Sequence, residues 1–192
     1  VPPAKVLLID LDPQGNCATS FGVEKKRIKK TAYDLLVNDS GEELPLMEEY
    51  LISPQDITES MRKAWSKRNE NAKRIPADLG IENLWLLPSD IHLSGAEIEL
   101  SHRIGRETRL REALAPIIDK FDYIIIDTPP SLGLLSINAL CAANWVFIPV
   151  QAEYYALEGF SMLMNSVKMI QKRINRNLKV FGVAMTMVDQ RS

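Results

Sequence analysis

Cysteine, histidine, net charge and long apolar runs are all scarce in this chain of 192 residues, and each scarcity removes a class of function. Its two cysteines, Cys17 and Cys141, stand far apart with no CxxC or Cys/His spacing. They read as reduced thiols of a cytoplasmic protein, without a disulfide or metal role. His92 and His102 have no carboxylate or cysteine at metal-ligand spacing, so surface or helix positions account for them. A formal charge of -2 gives the whole surface no attraction to nucleic acid. The basic run Lys25-Lys26-Arg27, and the Lys/Arg residues around Trp65, are interleaved with acids and read as solvated faces. No apolar run approaches the roughly 18 residues of a membrane span, and no charged-then-apolar leader precedes Val6. A soluble protein with no membrane contact is expected.

What is present fits a globular fold. An apolar fraction of 46% with 25% charged residues can bury one sizeable core, so residues 1–192 are expected to form one α/β domain. Its variable part is the polar, weakly periodic segment 40–80, which holds Pro45, Pro54 and Pro76.

Two stretches carry most of the chemistry. Val6-Leu7-Leu8-Ile9-Asp10-Leu11-Asp12-Pro13-Gln14-Gly15-Asn16 and Tyr123-Ile124-Ile125-Ile126-Asp127-Thr128-Pro129-Pro130 are each an apolar run ending in a carboxylate and then turn formers. That is the pattern of a buried parallel strand delivering an acid to its C-terminal edge, where open α/β sheets bind ligands. Three acids at two such edges predict a site for a phosphate and a divalent metal. Further strands are expected at Asn83 to Ser89, Asn144 to Val150 and Val180 to Val188. Helical spacing runs from Ile98 to Ile118 and from Glu158 to Ile174, the latter with Phe160, Leu163, Val167 and Ile170 on one face. This alternation predicts a mostly parallel sheet with helices on both faces.

The blocks Asp10-Leu11-Asp12-Pro13-Gln14-Gly15-Asn16, Ile126-Asp127-Thr128-Pro129-Pro130-Ser131 and Pro149-Val150-Gln151-Ala152-Glu153-Tyr154 resemble those of the ParA/Soj-type chromosome and plasmid partitioning ATPases. These belong to the MinD/ParA family of P-loop NTPase-like proteins with a deviant Walker A loop. Leu93-Ser94-Gly95-Ala96-Glu97 and Thr186-Met187-Val188-Asp189 resemble further segments of that family. One departure stands out: the chain contains no glycine-rich phosphate loop of the KGGVGKT type. It also stops before the family's C-terminal part, so a truncated fragment is expected.

The resemblance implies ATP and Mg2+ as cofactors, with Asp127 as the Walker B acid that holds magnesium through its water shell. Asp12 matches the acid of the first switch, which helps orient the attacking water, with Asp10 one strand residue back. Asp10 and Asp12 leave on the same face if the strand continues that far. Gln14, Gly15 and Asn16 are read as nucleotide contacts or as a plain turn. Thr128 and Pro129 resemble the second switch, Glu153 the nucleotide-dependent dimer interface, and Thr186 and Met187 the approach to the base.

Three readings follow. The first is a partitioning ATPase that pairs with itself in an ATP-dependent homodimer, rides on nonspecific DNA through regions outside this chain, and answers to a ParB/Spo0J-like stimulating protein. Its place is the cytoplasm, at the nucleoid. The second is a haloacid-dehalogenase-like phosphohydrolase using Asp10 as nucleophile and Asp12 as acid. The third is a noncatalytic remnant that retains an interaction surface.

Overall fold

The apolar run before the first acid becomes β1, Val6–Asp10, the middle strand of a parallel sheet. The computed structural model describes residues 3–38, 49–68, 81–151 and 156–188. β2 (Leu84–Leu87) and β3 (Tyr123–Asp127) flank β1, with Val6 opposite Leu84 and Tyr123, and Asp10 opposite Asp127. Parallel neighbours need long crossovers, and helices supply them. Between β1 and β2 lie α1 (Asn16–Ser20), a short 3-10 turn at Lys25–Arg27, α2 (Ala32–Val37) and α3 (Pro54–Arg68). Between β2 and β3 lie α4 (Leu93–Leu100) and α5 (Arg109–Leu114). Then follow α6 (Leu134–Ala142), β4 (Trp145–Gln151), α7 (Ala156–Arg173) and β5 (Lys179–Thr186).

Strand alternation sorts the core. Leu7 and Ile9 of β1 pack with Leu87, Ile124 and Ile126 beneath α2, α4, α5 and α6, where Leu36, Leu93, Leu100 and Leu110 are fully buried. On the other face, Leu8 meets Leu86, Ala18, Val23 and Ile57, so α1 and α3 cover the β1–β2 half. A separate cluster of Val167, Ile170, Leu163, Val146 and Val180 holds α7 against β4 and β5.

The fold class is the α/β arrangement the sequence predicts, with three differences. First, β4 and β5 form their own parallel pair, and among the described residues no ladder joins β3 to β4. Second, the helical run expected from Ile98 to Ile118 is broken into α4 and α5. Gly105 turns the chain at φ 73, and the buried Asn138 of α6 starts α5 by accepting the Leu110 N–H at 3.1 Å. Third, the segment 40–80 contains α3, a helix of 15 residues. Ser53 Oγ accepts the Asp56 N–H at 3.2 Å and donates to Asp56 Oδ2 at 2.6 Å, so Ser53 caps a helix that has Pro54 in its first turn. Proline there starts a helix rather than breaking one. Residues 40–48 and 69–80 lie outside the described residues.

Sheet coverage is uneven. Tyr123 and Ile125 of β3 are 63% and 55% exposed, and Phe147 and Phe181 of the second sheet are 56% and 72% exposed. One face of β3 and one face of the β4–β5 pair are therefore bare, although parallel strands ordinarily bury both faces. Among the described residues, no helix is long and apolar enough to cross a membrane.

Candidate functional site

β1 and β3 end together, and that shared end is the site. The Leu11 N–H donates to the Asp127 carbonyl at 2.8 Å, which carries the ladder one residue past Asp10 and locks the two acid-bearing edges in register. β1 itself stops at Asp10, so Asp12 sits in a turn and not on the strand face that alternation would give it. Three hydrogen bonds build this turn. The Asp12 N–H donates to Asp10 Oδ1 at 3.0 Å, the Gln14 N–H to Asp12 Oδ1 at 3.0 Å, and the Gly15 N–H to the Asp12 carbonyl at 3.0 Å. Gly15 has φ 64, and a Cβ there would stand 2.8 Å from the Ser89 carbonyl oxygen. Only glycine meets both demands. Ser89 Oγ beside it is buried and has no hydrogen-bond partner among the described residues.

Asp10 is fully buried, and its second oxygen accepts the Cys17 N–H at 3.0 Å. Burial pushes its carboxyl above the ordinary carboxylate value, while the two backbone donors pull the other way. Asp10 thus joins the end of β1 to the start of α1. Cys17 Sγ points at Asp127 Oδ2, 3.6 Å away. Burial, with the Asp10 and Asp127 carboxylates beside it, pushes the thiol up to about 12. Asp10, Cys17 and Asp127 place ligand atoms within 4.8 Å of one another. Sequence reasoning left Cys17 out of the site. The signal was its position, directly after the Asp10-to-Asn16 turn and in the first turn of α1.

The other candidates distribute as follows. Gln14 and Asn16 are exposed on the turn, and Thr128 and Pro129 open the irregular path from β3 to α6, with Thr128 exposed. That path is held at its far end, where Glu97 of α4 accepts the Leu135 N–H at 3.3 Å and Ser136 Oγ donates to the Ser131 carbonyl at 2.6 Å. Thr186 ends β5 and donates to the Val150 carbonyl at 3.3 Å, and Met187 follows at φ 52, exposed. These two belong to the second sheet. Glu153 lies outside the described residues.

The AAA domain family matches residues 3–180. This chain belongs to the AAA domain family. Its sequence is 43% identical over 188 residues to the sporulation initiation inhibitor protein Soj of Bacillus subtilis, covering 98% of this chain and 62% of that protein. It is 39% identical to the chromosome partitioning protein ParA of Myxococcus xanthus, covering 98% of this chain and 56% of that protein. The chain thus spans about three fifths of the curated relatives it matches. Among solved structures it superposes on cobyrinic acid a,c-diamide synthase from Mycobacterium smegmatis with bound ADP and magnesium, at TM-score 0.75 and 33% identity over 98% of this chain and 64% of that one. A plasmid partition protein from Borrelia burgdorferi gives TM-score 0.68 at 26% identity, with 98% and 70% covered. The resemblance to the ParA/Soj-like partitioning ATPases, and the P-loop NTPase fold, are borne out. Proteins of differently named activity share that fold, so the fold alone does not set the reaction.

Proposed function

We propose that this chain is the switch-bearing portion of a ParA/Soj-like partitioning ATPase that binds ATP with Mg2+. The observation that carries the reading is the register of Asp10 with Asp127, which sets the two acidic loops side by side at one sheet edge. Phosphoryl transfer asks a protein chiefly for position and charge neutralisation, and this edge supplies oxygen donors for both. Asp127 is exposed there, with its Oδ2 engaged by the weak Cys17 S–H donor. A hard dication that keeps its waters suits such a carboxylate. Asp127 would hold magnesium there, and the ion would supply neutralisation of phosphate charge. Asp12, half-buried, orients the attacking water, and Gln14, Gly15 and Asn16 line its approach. Thr128 and Pro129 carry the second switch, and Thr186 and Met187 approach the base. The lysines and amides that hold the phosphates come from a glycine-rich loop that these 192 residues do not contain. ATP-dependent pairing with a second copy, in which Glu153 takes part, nonspecific DNA binding, a ParB/Spo0J-like stimulator and a cytoplasmic place at the nucleoid belong to the same reading.

The burial of Asp10 argues against the phosphohydrolase alternative. A nucleophilic carboxylate must reach a phosphorus atom, and both Asp10 oxygens already serve backbone N–H groups.

The test is an ATP titration with magnesium and a hydrolysis assay on the full gene product and its Asp12→Ala variant. Binding is expected to survive in the variant while turnover falls by about 100-fold or more, the scale of a lost acid-base or positioning group. Loss of binding instead would remove Asp12 from this role. Residues 1–192 alone are expected to show little or no turnover, and measurable hydrolysis by them would refute the need for an added phosphate loop.

A further inference from the structure

We infer that Glu97 is a positioning residue for the second switch: reaching from α4, it fixes the far end of the path 128–133 relative to the first acidic turn. The inference rests on the ATPase reading and adds a side chain that touches neither nucleotide nor metal in it.

α4 borders both loops. Its entry, Ser89-Asp90, lies against the first turn, where a Cβ on Gly15 would stand 2.8 Å from the Ser89 carbonyl oxygen. The Leu93 N–H donates to the Asp90 carbonyl at 3.1 Å, so the helix follows at once. Leu93, Ala96 and Leu100 are fully buried, which seats α4 firmly in the core. One turn on from Leu93, Glu97 meets the start of α6. Its Oε1 accepts the Leu135 N–H at 3.3 Å, one of the first-turn donors that a helix cannot pair within itself. A carboxylate in that place also faces the positive end of the helix dipole.

Gly133 makes room for this contact. A Cβ there would overlap Glu97 Oε1 and stand 2.9 Å from its Cδ. The Gly133 backbone is ordinary, at φ -90 and ψ -169, so the missing side chain answers to the carboxylate and not to conformation. The near end of the path is fixed separately, by the register of Asp10 with Asp127 and by the Leu11 N–H on the Asp127 carbonyl. With both ends held, Thr128 and Pro129 keep a set place beside Asp127. Released at Glu97, the path wanders, and a misplacement of about 1 Å can cost about 100-fold in rate. The groups that hold the phosphates lie outside this path, so ATP affinity is spared.

The experiment measures ATP turnover with magnesium, and amide exchange by NMR, on the full gene product. Glu97→Ala is expected to lower kcat by about 10-fold with the KM for ATP within about 2-fold, and to speed Leu135 amide exchange by about 10-fold or more. Glu97→Gln keeps an acceptor oxygen and is expected to bring both back to within about 3-fold of the parent protein. Gly133→Ala displaces the carboxylate by bulk, so it is expected to reproduce Glu97→Ala and to add nothing in the double variant. A general loss of stability would neither spare KM nor vanish in the double variant. Unchanged kcat in Glu97→Ala, no rescue by glutamine, or additive losses in the double variant overturns the inference. Exchange needs no nucleotide, and an unchanged Leu135 rate in Glu97→Ala overturns the contact by itself. A parent protein with no turnover overturns the ATPase reading instead, and Leu135 exchange then still decides whether Glu97 holds the path.

Discussion

Gly15 shows how little freedom the site's turn has. A side chain there would meet both a left-handed backbone and the Ser89 carbonyl at 2.8 Å. Gly15→Ala is therefore expected to destabilise the fold by about 1–3 kcal/mol, measured by urea denaturation, because a strained φ and a backbone clash add together. The basic run gives a second test at this scale. Glu24 gathers Lys26 and Lys67, each at 3.1 Å, and Arg27 at 4.0 Å, so these cations face an acid and form no open phosphate patch. Hydrogen bonds from Lys67 and Lys26 hold the Glu24 carboxyl down at about 2, against an ordinary 4.5. A lowered carboxylate value means that its contribution is complete above the ordinary value and is lost as pH falls toward the native one. In an NMR titration, Lys67→Ala is expected to move the Glu24 midpoint back toward 4.5, and added salt to do the same in part.

Elements are joined by buried amides that serve helix ends. Asn138 accepts the Leu110 N–H and donates to the Arg106 carbonyl at 2.8 Å and the Leu134 carbonyl at 3.0 Å, so one side chain ties α6 to the start of α5. Asn175 plays the matching part at the other end of α6, donating to the carbonyls of Leu140, Cys141 and Ala143. Asn138→Leu adds bulk at a fully buried position and orphans the Leu110 N–H and the Arg106 carbonyl. A loss of about 2–4 kcal/mol is expected in chemical denaturation, larger than for Asn175→Ala, because Asn138 is fully buried.

Element by element, the strands were legible because apolar runs ending in acids or turn formers have few other readings. α7 was legible from its apolar face, of which Val167 and Ile170 are buried. α3 was missed because its prolines were counted as breakers, although Ser53-Pro54-Gln55-Asp56 holds a cap and a first-turn proline. The break between α4 and α5 was not legible, since it depends on Asn138, distant in sequence. In the site, the acids were readable from the strand ends. The tie from Cys17 to Asp127 was not, because a contact across 110 residues leaves no local pattern.

At the scale of the whole molecule, the bare face of the β4–β5 pair sets how the isolated chain behaves. Trp145, Phe147 and Phe181 stack edge to face on it, with centroids 6.1 and 6.2 Å apart, and Met185 is 61% exposed. Apolar patches of this kind mark surfaces meant to be covered. Residues 1–192 by themselves are expected to bind a hydrophobic dye and self-associate. Phe181→Lys is expected to reduce both without lowering Tm, as read by dye fluorescence and light scattering. Unchanged dye binding would mean that the face is not what the dye detects.

The pairing of β1 with β3 also bears on how the protein is born. Asp10 cannot meet Asp127 until more than a hundred further residues have left the ribosome. At about 5–20 residues per second, β1 waits roughly 6–24 s for this partner. During that interval Leu7 and Ile9, which end fully buried, remain without β3 beside them. A chaperone that holds β1 in the nascent chain therefore has a window set by topology, and slowing translation between β1 and β3 lengthens it.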